Sequence, residues 1–207
     1  KTLEKLQLNT PSSPSTNSHA SLTQADNHSL AIDALPIQWQ NGQLLTDLGS
    51  LDLPNGLTIK RSADLTSDEA KWVCNTFSAI KPEHHVFGLV NDVLAQDIIV
   101  IDVAENANIT LPIHLCHYAM PEMEGHSRVL VRVAAKAKLT VLETFRSHAV
   151  DSHAAESHAV ESEPSKTSPS FNTNVAEFHV AEEAELEHYR FDLLAATALS
   201  VGGCHVA

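Results

Sequence analysis

Cysteine is scarce in this chain: Cys74, Cys116 and Cys204 are the whole supply in 207 residues. They are odd in number, far apart and free of any C-x-x-C. That excludes a disulfide framework and fits a reducing, cytoplasmic compartment. Aromatic residues make up only 5%, and none of them interleave with basic side chains as on a nucleic-acid platform. Basic residues are themselves few. Lys and Arg number 13 against 26 Asp and Glu, a formal charge of −13, which argues against nucleic acid and anionic membrane as partners. No apolar run reaches the ~18 residues of a membrane-spanning helix, and the start lacks the apolar stretch of a signal peptide. G-x-S-x-G, the P-loop and G-x-G-x-x-G are missing too. Residue 1 is Lys, so the expectation is a chain that begins inside a longer protein.

What is present is a repeat. Val103-Ala-Glu-Asn-Ala-Asn-Ile109, Val133-Ala-Ala-Lys-Ala-Lys-Leu139 and Val180-Ala-Glu-Glu-Ala-Glu-Leu186 share V-A-x-x-A-x-[I/L]. The first two copies start 30 residues apart and the third 47 later. Removing about 17 residues of low-complexity sequence from that gap restores the period, and a fixed period of this size marks a solenoid. Around the first copy the apolar residues fall on odd numbers: Ile99, Ile101, Val103, then Ala107, Ile109, Leu111, Ile113 and Leu115. The second copy keeps that parity with Val129, Val131, Val133, Ala137, Leu139, Val141 and Phe145. Period-two alternation predicts strands with one buried face, turning at Glu105-Asn106. In the third copy Tyr189, Phe191 and Leu193 lie on odd positions, whereas parity sends His188 and Arg190 inward. A bulge or corner after Leu186 is expected there, because an unpaired buried Arg is costly.

These patterns predict a mainly β chain: a right-handed parallel β-helix (β-solenoid) core preceded by a small α/β amino-terminal region. Hairpins would place Asn-Gly or Asp-Gly turns inside each repeat, and none occurs. Residues 1–35 read as a helix remnant and a Ser/Thr/Asn/Pro-rich disordered linker. Residues 36–95 read as an α/β cap. They contain a hairpin over Ile37–Leu44 at Asn41-Gly42, a turn at Pro54-Asn55-Gly56 and a capping box at Thr66–Glu69 that opens a helix to about Ile80. A second helix starts at Pro82 and carries Val86, Phe87, Val90, Val93 and Leu94. Residues 96–207 hold the first part of the β-helix, interrupted at 146–170 by a low-complexity insertion.

The candidate chemistry is sparse. The insertion repeats a pentad with His148, His153 and His158, but a five-residue spacing does not bring three rings to one face of a helix or a strand. His114 and Cys116 point away from the core by parity and His117 inward, with no further ligand nearby in sequence. Cys204 and His205 follow two glycines and are a weak candidate pair for a metal or cluster. Glu182, Glu183, Glu185 and Glu187 form an acidic run; a glycosidase would need two of them at a defined separation. His188, on inward parity, is the remaining weak metal candidate. No residue is assigned as catalytic or cofactor-binding.

Three segments also resemble a known family. One is the hairpin Ile37–Leu44 followed by Leu53-Pro54-Asn55-Gly56-Leu57. The second is Phe87-Gly-Leu-Val90-Asn91, running into Asp97-Ile-Ile-Val-Ile101 and Leu111-Pro112-Ile113-His114-Leu115. The third is Asn174–Arg190, ending Ala184-Glu-Leu186-Glu-His188-Tyr189-Arg190. In order and spacing they resemble the SufB/SufD core family of iron–sulfur cluster assembly, most of all its SufD branch, over roughly 36–207 without the insertion. The resemblance implies a β-helical, non-catalytic scaffold that pairs with a SufB-like subunit and a SufC-like ATPase. It implies an iron–sulfur cluster for the whole complex and none held directly by this amino-terminal part. The family's cluster-linked and ATPase-docking regions lie later than Ala207, so no family functional residue is carried onto this chain. The rival expectations are a β-helix carbohydrate-active enzyme using Glu185 or Glu187 and a His-rich metal-binding protein.

Overall fold

The structure, a computed structural model, describes residues 32–80, 82, 85–147 and 169–207. Among them are ten strands and two α-helices: β1 (Leu35–Gln40), β2 (Gln43–Leu44), β3 (Leu57–Arg61), α1 (Ser67–Thr76), α2 (Val86–Leu94), β4 (Ile98–Val103), β5 (Ile113–Ala119), β6 (Glu124–Val133), β7 (Lys138–Ser147), β8 (Ser170–Val180), β9 (Glu185–Leu193) and β10 (Ala198–Val206). The chain is mainly β, as the alternation predicts. Most of linker 1–35 and the pentad histidines of the insertion lie outside the described residues.

The described strands form two five-stranded sheets, ordered β2-β1-β5-β7-β9 and β10-β8-β6-β4-β3. From β4 to β10 successive strands alternate between them. Pairing is antiparallel at β1–β2 and β3–β4 and parallel at the other described pairs. The three repeats stack in register: Val103 lies beside Val133, and Val133 beside Val180. Each copy then turns the same way. Ala107, Ala137 and Ala184 each donate N–H to the carbonyl three residues earlier, at 3.1 Å. The residue before each donor is left-handed: Asn106 at φ 59°, Lys136 at 60° and Glu183 at 58°. A left-handed third residue is the mark of a type II turn. The corners also bond to one another, Asn106 N–H to Ala135 O and Lys136 N–H to Glu182 O.

The odd-numbered residues of the first two copies form the core between the sheets. Ile99, Ile101, Val103, Ile113, Leu115, Val131, Val133 and Val141 are fully buried, each contributing roughly 1.5–3 kcal/mol relative to exposure. The amino-terminal elements close the first end. β1 pairs with β5 and β3 with β4. The Asn41-Gly42 turn, with both φ positive (48° and 77°), is type I′. It presses so closely on β6 that a Cβ on Gly42 would lie 2.4 Å from the His126 nitrogen. Helix α1 keeps its capping box, Thr66 with Glu69. It lays Val73, Trp72 and Phe77 over Val100 and Leu130, on the outer face of the second sheet.

Three expectations are corrected. The bulge after Leu186 does not form: β7 and β9 pair in unbroken register from Lys138–Glu185 to Arg146–Leu193. His188 and Arg190 face inward, and Tyr189, Phe191 and Leu193 are exposed. The cost that motivated the bulge is met by partners: the Arg190 guanidinium pairs with Asp192 (3.5 Å), lies 4.1 Å over the Phe145 ring and acts on the Glu143 carboxylate. Helix α1 ends at Thr76, ahead of left-handed Ser78, and α2 begins at Val86. On α2 the buried positions are Gly88 and Asn91, while Val86, Leu89, Val93 and Leu94 are exposed. Asn91 turns that helix. Its side-chain amide donates to Ser127 O (2.9 Å) and Thr173 O (3.1 Å), which apolar periodicity does not register.

Candidate functional site

The interior between the sheets is apolar near the repeat corners and polar at the opposite ends of the strands. Register explains how the polar groups meet. Trp39, His117 and Phe145 occupy one row of β1, β5 and β7, and neighbouring strands lie about 4.8 Å apart. The rings therefore stack: Trp39 to His117 at 4.7 Å and His117 to Phe145 at 4.6 Å. The next row reads Ile37, Leu115, Glu143, Arg190, and the one after it Leu35, Ile113, Val141, His188. The last two rows are apolar in β1 and β5; one becomes charged in β7 and the other polar in β9.

Glu143 is the centre of this region. It is 2% exposed, with His117 Nε2 3.4 Å from Oε1 and His188 Nε2 3.2 Å from Oε2. The His117 contact is close enough for an ion pair but is not aligned as a hydrogen bond. Burial works to raise the Glu143 pKa, yet the two imidazoles and the Arg190 charge outweigh it and hold it at about 2. The far nitrogen of His188, Nδ1, lies 3.5 Å from Cys204 Sγ. Burial works to lower the His188 pKa; its contacts with Cys204 and Glu143 outweigh that and push it up to about 9. On the other side, His117 Nδ1 is 3.2 Å from Ser127 Oγ. Ser127 donates to Asn174 Oδ1 (2.7 Å), and Asn174 Nδ2 donates to Ser200 Oγ (3.0 Å). The line Cys204–His188–Glu143–His117–Ser127–Asn174–Ser200 thus crosses the interior. A cleft walled by Trp39, Phe145, Asn172, Asn174 and Ser200 opens beside His117. Two imidazoles, a carboxylate and a thiol in series can store and pass protons.

Of the candidates named from sequence, Cys204 and His188 are brought together here. His205 is not: it lies on the other face of β10, its ring 5.4 Å from that of His85. His114 and Cys116 face away from the inter-sheet interior, as parity expects, but both are buried. Burial lowers the His114 pKa and pushes the Cys116 thiol up to about 11. The acidic run is solvated and partly paired, Glu185 with Lys138 at 2.7 Å and Glu183 with Lys136 at 4.0 Å. Among the described residues, no group of three or more His, Cys, Asp and Glu side chains is arranged to hold a metal ion. No described helix is long and apolar enough to cross a membrane. Sequence reading passed over Glu143, Ser127 and Asn174. Glu143 was detectable as a carboxylate on inward parity between Val141 and Phe145.

No family model matches the chain, and no curated protein matches it.

Proposed function

We propose that the chain is a scaffold subunit of a SUF-type iron–sulfur cluster assembly complex, SufD-like and not itself catalytic, working in the cytoplasm. In this reading the alternating strands are coils of a right-handed parallel β-helix, and the iron–sulfur cluster is the cargo of the assembled complex. A SufB-like subunit and a SufC-like ATPase are its partners. The observation that carries the reading is the in-register stacking of the three V-A-x-x-A-x-[I/L] copies beneath an amino-terminal hairpin and helix pair. That stack joins the three segments on which the family resemblance rests. The full-length protein, affinity-tagged in its native host, is expected to co-purify with a SufB-like subunit and an ATPase. Deleting its gene should lower the activity of iron–sulfur enzymes. Recovery as a lone monomer, with those activities unchanged, overturns the proposal.

A further inference from the structure

Parallel register places Cys204 beside Ala176 on the inward face of β10, and β9 presents His188 to it from the other sheet. Both ring nitrogens of His188 are engaged, Nδ1 with the Cys204 sulfur at 3.5 Å and Nε2 with Glu143 at 3.2 Å. The tilted Phe178 ring, 4.9 Å away, packs against the imidazole. A thiol, an imidazole and a carboxylate in line form the arrangement that activates a sulfur nucleophile. We propose that Cys204 is an activated thiol that forms mixed disulfides with low-molecular-weight disulfides, with His188 holding its proton and Glu143 holding His188 in place.

The geometry separates the three cysteines. Cys116 is buried, and its burial disfavours the thiolate. Cys74 is exposed on α1, with no hydrogen bond to an imidazole among the described residues. Cys204 is exposed among the described residues and has an imidazole whose other nitrogen faces a buried carboxylate. The charged and titratable groups that face this imidazole are Glu143 from β7 and Cys204 from β10, with His117 and Arg190 acting on Glu143 from beyond. The reaction balances without an outside reductant. The Cys204 thiolate attacks one sulfur of the disulfide, the new S–S bond forms as the old one breaks, and the departing thiolate takes the proton from His188.

The experiment uses the full-length native protein and reads each cysteine separately by peptide mass spectrometry. Rates are measured with glutathione disulfide and with iodoacetamide, with Cys74 as the internal reference. At pH 7 Cys204 is expected to react about tenfold faster than Cys74. In His188→Gln the Cys204 rate should fall to that of Cys74, and in Glu143→Gln to a value between. A thermal transition confirms that each variant is folded. If Glu143→Gln does not fold, His188→Gln decides; if neither folds, the wild-type rate ratio decides. A wild-type Cys204 no faster than Cys74, or a folded His188→Gln with an unchanged rate, overturns the proposal. The result is independent of whether the protein co-purifies with the SUF-type partners.

Discussion

Two groups of polar side chains are buried in this molecule, on opposite faces of the same two strands. On β6, Ser127 points between the sheets and Arg128 points out beneath the helices; on β8, Asn174 and Glu177 divide in the same way. The outer group is built around a full charge. Arg128 and Glu177 are completely buried and paired, and Arg128 also bonds Asp92 (3.0 Å) and Ser78 Oγ (3.0 Å), with its guanidinium 4.4 Å over Phe77. An arginine does not give up its proton in a protein, so the positive charge at the centre of this group is permanent. The inner group is built from imidazoles and a thiol, and one end of it reaches solvent at Cys204. The difference teaches that burying polar groups serves two ends here. The outer set fastens the helices to the sheet, and the inner set can change its protonation.

The sharpest way to break this comparison is Glu177→Ala. Removing one partner of a buried ion pair strands the other charge, and a loss of about 3–5 kcal/mol is expected. Urea unfolding at pH 6, 7 and 8 should show the same loss at each pH; a loss below about 1 kcal/mol would make the outer group dispensable.

A middle-sized effect should come from pH. The folded pKa of His188, pushed up to about 9, lies above its ordinary 6.5, so its contribution is complete below 6.5 and is lost as pH rises through 9. Glu143, held at about 2, lies below its ordinary 4.5, so its contribution is present above 4.5 and is lost as pH falls through 2. The two shifts share one interaction, which is intact between 4.5 and 6.5. Melting temperature should therefore decline from pH 6.5 to 9 in the native protein. His188→Gln should flatten that decline, and persistence of the full slope in that variant would refute the assignment.

The smallest effect is expected outside both groups. Lys138 and Glu185 form a 2.7 Å pair with both side chains more than half exposed. Lys138→Ala should change stability by less than about 1 kcal/mol in chemical denaturation. A larger loss would mean that the surface ladder of β7 and β9 matters as much as the buried networks.

Alternation made the inward face of β4, β6 and β7 legible, because one buried face leaves a period of two in the sequence. The Asn41-Gly42 hairpin and the Thr66 capping box were legible because their signals are local. Parity names a face without saying what covers it. Arg128 sits on the face that reads as solvent and is buried only because α1 and α2 lie over it, with Glu177 supplied from 49 residues away. The same limit misdirected β9. Its inward Arg190 looked forbidden because parity does not show the Asp192, Phe145 and Glu143 side chains around the guanidinium. On α2 apolar spacing named Val86, Phe87, Val90, Val93 and Leu94 but not Asn91, the buried residue that bonds to Ser127 and Thr173 while Val86, Val93 and Leu94 are exposed. Partners far apart in sequence leave no local trace.

The Asn41-Gly42 turn has a consequence in time. It forms from neighbours, so it can exist as soon as it is made. Its seat comes much later: Asn41 accepts a hydrogen bond from Met120, 79 residues further on, and Gly42 rests on the backbone of His126. At about 5–20 residues per second on the ribosome, the hairpin waits roughly 4–16 s for the surface it locks onto. The first piece of the described chain to be synthesised cannot settle until β5 and the start of β6 have followed it.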